Sequence, residues 1–189
     1  MGGDVCGLPA DDRGGLSGPR RVLSVLAVAA CWLLADQATK ALVVREFQVS
    51  GLHRTVIPGW LDLTLTYNTG AAFGLLNRTG GARYVFILIS SAVLLGAFVF
   101  WRKLVELPAV PRYALALVAA GAAGNLVDRL LRGGQVVDFI HFHIARIGFI
   151  WPDFNVADIG VTCGMTVYVC YVLWTDLRQQ REQSAERAA

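Results

Sequence analysis

Hydrophobic and polar positions alternate between two regimes along this chain. Residues 84–101, YVFILISSAVLLGAFVFW, carry no charge over 18 positions. As a helix that run is roughly 27 Å long, close to the depth of a bilayer core. Residues 22–44 are apolar apart from Asp36 and Lys40. Residues 113–127 are uncharged and reach a full span by taking in Arg112 and the Asp128–Leu131 turn, and residues 159–175 are uncharged behind Asp158. Lipid offers backbone groups no partner, so each run predicts a helix. The pattern therefore reads as an all-α integral membrane protein with four transmembrane helices, at about 22–44, 84–101, 112–131 and 157–175.

The second regime fills the connections. Two of them, about 45–83 and 128–157, are longer than a passive bundle needs, and long connections in small proteins tend to carry function. In WLDLTLTYN, Leu61, Leu63, Leu65 and Tyr67 alternate with Asp62, Thr64 and Thr66 behind a Pro58-Gly59 turn signal. A period of two predicts a half-buried strand. NTGAAFGLLNRTGG, from Asn68, predicts a short interfacial helix. A small extracytoplasmic β element and that interfacial helix complete the expected fold.

Composition agrees with the pattern. The chain has 189 residues, 55% apolar and 16% charged, against about 45–50% and 25% in soluble domains. A net charge of +3 marks no nucleic-acid surface. Cysteines at 6, 31, 163 and 170 form no CxxC, and three of them fall in spans, where a thiol acts as a small apolar group. Residues 1–21, rich in Gly, Pro and Asp, read as a disordered cytoplasmic segment, 22–175 as the membrane domain and 176–189 as a cytoplasmic tail. RRVLSVLAVAAC also has the look of a cleavable leader ending in a loose lipobox, but the apolar pattern continues past Cys31, which favours a retained helix. Four spans put both termini on one side. Lysines and arginines divide nine to eight between the sides, yet RR at 20–21, RK at 102–103 and the Arg-bearing tail lie at helix ends on the terminal side, so that side is read as cytoplasmic.

Several polar residues sit where lipid would exclude them. Asp36 and Lys40 share a helix face at i,i+4, as an ion pair bracing the bundle would. Gly121, Asn125 and Arg129 step by four down the third span, with Gly124 as a close-approach point. Two polar faces turned inward suggest one shared polar site. Asn155 and Asp158 have the spacing of a helix N-cap and an acidic N3 residue. Asp138, inside the apolar run of GGQVVDFIHF, brings a second carboxylate to the same side of the membrane. Two carboxylates crowded in a low dielectric cannot both ionise cheaply, so one keeps its proton. Such a pair can hydrolyse an amide without metal or covalent intermediate. The chain has no HExxH, no GxSxG and no phosphate loop. His141 and His143 offer metal ligands beside Asp138, but alternation on an extended segment lets only two of the three converge, so no metal and no cofactor are expected.

These blocks, DQATK at 36–40, YNTGAAFG at 67–74, GAAGNLVDRL at 121–130, VVDFI at 136–140 and FNVADIG at 154–160, resemble the lipoprotein signal peptidase (signal peptidase II) family over residues 22–175. The resemblance implies a bacterial plasma-membrane aspartic endopeptidase that cleaves diacylglyceryl-modified prolipoproteins on the N-terminal side of the lipidated cysteine. Asp138 and Asp158 would be its catalytic dyad. Asp36, Lys40, Asn68, Gly70, Gly124, Asn125, Arg129, Asn155 and Ala157 would support the site or bind substrate, with Gly70, Ala71 and Ala72 letting substrate pass closely. One aspartate would activate water while its partner polarises the carbonyl and protonates the leaving amine, either acid fitting either role. Partners would be prolipoproteins and membrane lipids, acting on a monomer with its active site towards the extracytoplasmic face. GAAGN in place of a common GGALGN, and an RGGQVVDF stretch about one residue long, are small departures. Two rival classes stay testable: a proton-coupled transporter centred on Asp36 and Lys40, and a scaffold in which Asp158 merely caps its helix.

Overall fold

The computed structural model describes residues 18–70 and 81–188. Helices α1 (Gly18–Phe47), α2 (Ala82–Val99), α4 (Ala109–Leu131) and α5 (Val156–Ala188) are each long and apolar enough to cross a membrane. A short α3 (Trp101–Glu106) links α2 to α4. The chain begins α1 four residues before the expected start, and α5 runs on unbroken through the polar tail. Asn68, where the predicted interfacial helix begins, is strand instead, and residues 71–80, Ala71 and Ala72 among them, lie outside the described residues.

Helix α4 packs against α1, α2 and α5. Its buried face is built of Ala114, Ala116, Ala120, Gly121, Ala122 and Gly124, small residues that let backbones approach. A Cβ on Gly121 would meet the carbonyl oxygen of Ala157, and one on Gly164 would lie 2.5 Å from that of Ala114, so the α4–α5 seam leaves no room for side chains at these points. The large apolar residues point the other way. Leu34 and Leu42 of α1, Leu88 and Leu95 of α2, and Leu173 and Trp174 of α5 are exposed. In a bilayer these faces meet acyl chains, so the apolar surface lies outside and the polar groups lie within.

Strands β1 (His53–Ile57), β2 (Leu61–Asn68), β3 (Val136–Ile144) and β4 (Phe149–Ile150) form an antiparallel sheet in that order. The alternation at 61–67 is indeed a strand, entered through Gly59 at φ +77°. The segment carrying Asp138 is itself a strand, β3, whose run VVDFIHFHI is too continuously apolar at its start to show a period. A bulge between Leu63 and Thr66 shifts the β2–β3 register. Val43 and Phe47 of α1 pack on Leu65, Val137 and Phe139. This cluster holds the sheet on the end of the bundle where α1 and α4 finish and α5 begins. Both described chain ends lie at the opposite end.

Candidate active site

The start of α5 is built by reciprocal capping. Asn155 Oδ1 accepts the backbone N–H of Asp158 at 2.9 Å, and Asp158 Oδ2 accepts that of Asn155 at 3.2 Å. This is the capping-box pattern, with amide and carboxylate in place of the usual pair. The orphan N–H of Ala157 donates to Asp36 Oδ1 at 2.8 Å, so α1 completes the cap of α5. The structural reading of Asn155 and Asp158 is correct, and it is not the whole of what they do.

Asn155 also turns towards the sheet. It is completely buried, and its Nδ2 donates to Asp138 Oδ1 at 2.6 Å and to the Val137 carbonyl at 3.3 Å. The second oxygen of Asp138 accepts Asn68 Nδ2 at 2.9 Å. Asp158 Oδ1 accepts Asn125 Nδ2 at 2.8 Å, and Asn125 Oδ1 accepts from Asn155 at 3.2 Å and from Lys40 at 3.1 Å. Asn155 thus links the two segments: its amide nitrogen holds the Asp138 carboxyl, its amide oxygen holds the backbone N–H of Asp158, and Asn125 carries the chain on to the Asp158 carboxylate. Burial pushes the Asp138 carboxyl up from its ordinary value to about 7. The neighbouring charge of Asp158 adds to that shift, while the amide donors Asn68 and Asn155 and the charge of Lys40 oppose it.

Beneath this pair lies an ionic layer. Lys40 is fully buried with Asp36 and Asp128. Its ammonium reaches Asp36 Oδ2 at 2.8 Å, Asp128 Oδ2 at 3.0 Å and Asn125 Oδ1 at 3.1 Å, which gives each of its three protons an acceptor. Gln37 Nε2 crosses the same layer, donating to Asp36 at 3.0 Å and to the Gly124 carbonyl at 3.2 Å. Asp128 further accepts the Val137 N–H at 3.1 Å and lies 3.3 Å from Arg132. The expected Asp36–Lys40 pair is therefore one edge of a triad that fastens α1, α4 and β3 together.

The remaining predicted residues divide. A Cβ on Gly124 would lie 2.5 Å from Asp36 Oδ2 and 3.3 Å from Ala157, so Gly124 is the gap through which Asp36 reaches α5. Gly70, at φ +88°, donates its N–H to Asn68 Oδ1 at 2.7 Å, orienting the amide that holds Asp138. Arg129 bonds its own helix at the Asn125 carbonyl and covers the Phe86 ring at 5.0 Å. Among the described residues it makes no hydrogen bond to either carboxylate of the pair. Asp128 and Gln37 were missed. The signal for Asp128 was available: it stands three after Asn125 and seven after Gly121, on the polar stripe already noted.

Fold and site together define an integral membrane protein with a polar, carboxylate-bearing cluster at one end of its bundle. Comparison with known proteins narrows the class. A family profile described as Signal peptidase (SPase) II matches residues 28–174. The "Lipoprotein signal peptidase" of Desulforapulum autotrophicum is 37% identical over 159 residues, covering 82% of this chain and 94% of that one. The proteins of the same name from Halalkalibacterium halodurans and an Azoarcus species are 36% and 40% identical, covering 84% and 83% of this chain and 97% and 84% of their own lengths. A solved structure described as a bacterial membrane enzyme superposes with a TM-score of 0.71 at 32% identity, covering 80% of this chain and 94% of that one. This chain belongs to the signal peptidase II family.

Proposed function

We propose that this protein removes the signal peptide from diacylglyceryl-modified prolipoproteins, cutting on the N-terminal side of the lipidated cysteine, with Asp138 and Asp158 as a metal-independent acid–base pair. The observation that supports this most is the bridge made by Asn155. Its side chain donates to the Asp138 carboxyl on the strand and accepts the Asp158 N–H at the helix terminus, which supports both acids acting on one water.

Asp138, whose proton is retained up to about pH 7, hydrogen-bonds the scissile carbonyl oxygen. Asp158, in the first turn of α5 where the helix dipole favours negative charge, takes a proton from water as its oxygen bonds to the carbonyl carbon. Asp138 gives its proton to the carbonyl oxygen, and a tetrahedral diol forms. As the C–N bond breaks, Asp158 passes its new proton to the leaving amine and Asp138 recovers one from the diol. The pair ends as it began. Lys40 with Asp36 and Asp128 fixes Asn125 and the cap, so the acids are oriented before substrate arrives.

The sheet and the site share the bundle end away from the termini. We place that end at the extracytoplasmic face, with both termini cytoplasmic and the boundaries of the membrane domain at about 22–175. The chain works there as a monomer, and acyl chains of the substrate remain in the bilayer against the exposed helix faces. Asn68, Gly70, Asn125, Asn155 and Ala157 position the acids, and Arg129 lines the approach.

Cleavage of a lipidated prolipoprotein peptide by purified protein, with and without a chelator, tests the reading. Asp138→Asn and Asp158→Asn should insert and fold but lose turnover, and chelator should leave the parent protein active. Turnover by either variant at the parent rate contradicts the acid–base assignment, and loss of activity in chelator contradicts metal independence.

A further inference from the structure

The chain contains three histidines, and all three gather at one place on the sheet, outside the residues that hydrogen-bond the acid–base pair. His53 lies on β1, His141 and His143 on β3. Between them on β2 stands Asp62, paired in register with His141. Strand alternation turns His141 and His143 to the face of β3 away from Asp138. Asp138 does not join them, and the neighbouring strand brings Asp62 beside them instead.

From this cluster we infer a site for a divalent transition cation of the Zn²⁺ class, held by Asp62, His141 and His143. One ligand atom from each lies within 4.8 Å of the other two. A tetrahedral zinc with bonds of about 2.0–2.1 Å needs ligand atoms about 3.4 Å apart, a closure that small side-chain rotations supply. Two atoms are already unsatisfied there. Among the described residues, buried Asp62 Oδ1 and His143 Nδ1 have no hydrogen-bond partner, and His143 Nδ1 stands 3.8 Å from Asp62 Oδ2, too far for a hydrogen bond. A cation between them satisfies both.

His141 is prepared from outside. Its Nδ1 lies 2.7 Å from Asp153 Oδ1. With Nδ1 engaged by that carboxylate, Nε2 is the ring nitrogen left to bind metal. Thr66 donates to the other oxygen of Asp153 at 2.6 Å and holds that carboxylate in place. A carboxylate behind a histidine is the usual outer support of a metal ligand. The three residues line a cleft of about 340 Å³ with His53 at its wall, and water takes the fourth position. Two imidazoles and one carboxylate select Zn²⁺, Cu²⁺ or Ni²⁺ over Mg²⁺ and Ca²⁺, which prefer all-oxygen sites. The ion ties β2 to β3 next to the Asp153–Asn155 turn that leads into α5.

Calorimetric titration of the full chain in detergent, purified without a histidine tag and stripped with chelator, tests the site. The expected result is one equivalent of Zn²⁺ bound and no heat from Mg²⁺. His143→Ala and Asp62→Asn should abolish the binding, and Asp153→Asn should weaken it about 10–100-fold. Each variant is first checked for the parent's circular dichroism and thermal midpoint in chelator, and His53→Ala serves as a folded neighbour that keeps binding. No saturable Zn²⁺ binding by the parent chain overturns the inference, as does binding that survives His143→Ala. Peptide cleavage in chelator is recorded in parallel, so loss of the cation and loss of the acid–base reading are told apart.

Discussion

Replacing Asn155 separates the structural and chemical duties of one side chain. In the folded protein it caps α5 through Asp158 N–H and donates to Asp138 at 2.6 Å from a completely buried position. Losing the cap costs about 0.5–2 kcal/mol. Losing a hydrogen bond to a charged or charge-sharing group costs about 1.5–3 kcal/mol. The two share one residue and do not add fully, so Asn155→Ala should destabilise by about 2–4 kcal/mol. At about 2–4 °C per kcal/mol for a chain of this size, the thermal midpoint falls by about 5–15 °C. Asn155→Ser keeps a capping oxygen but cannot reach the sheet, and should recover about 1 kcal/mol of that loss. Asn155→Asp keeps the cap as well, yet sets an acceptor against Asp138 where a donor stood, so it should fold and fail to cleave. Thermal unfolding in detergent, paired with cleavage of a lipidated peptide, reads both duties. An Asn155→Ala protein that melts with the parent, or an Asn155→Asp protein that cleaves like it, would refute the reasoning.

Other outcomes follow from the packing and charge of the bundle. Lys40→Met strands Asp36 and Asp128 in a dry layer and should cost about 3–5 kcal/mol, read as a lowered thermal midpoint, with partial recovery when both acids are also changed to Asn. Gly124→Ala places a methyl 2.5 Å from Asp36 Oδ2 and should cost about 1–3 kcal/mol, whereas Gly96→Ala, with open space around it, should stabilise by about 0.5–1 kcal/mol. Because Asp138 keeps its proton to about pH 7, kcat/KM should fall as pH rises through that value. Asn68→Leu removes a donor that favours the ionised form and should move that limb to higher pH, so an unmoved or lowered limb counts against it. The same shift has a stability sign: the folded chain holds a proton that the unfolded chain releases near pH 4, so this contribution is complete below about pH 4 and is lost as pH rises towards 7.

The four spanning helices were legible because lipid demands long uncharged runs, and Asp36, Lys40 and Asn125 were legible because lipid makes polar residues rare. The β2 strand showed its period plainly. Strand β3 did not, since Val136, Val137 and Phe139 are buried with Asp138 between them, which leaves no alternation to read. Asp128 lies on the same stripe of the third span as Gly121 and Asn125, but a strict step of four from Gly121 lands on Arg129 and skips it. Asp62 was read as the outward face of a strand. Only the β2–β3 register, bulge included, sets it beside His141, and no spacing within one segment carries that pairing.

The central claim is that Asp138 and Asp158 hold a single proton between them at neutral pH. Infrared difference titration of protein labelled at aspartate reads this directly, since a protonated carboxyl absorbs apart from a carboxylate. The account predicts one protonated-carboxyl band that persists to about pH 7 and disappears above it, and that is missing from Asp138→Asn. A spectrum in which every aspartate carboxyl band titrates near pH 4, with none surviving to neutrality, contradicts it.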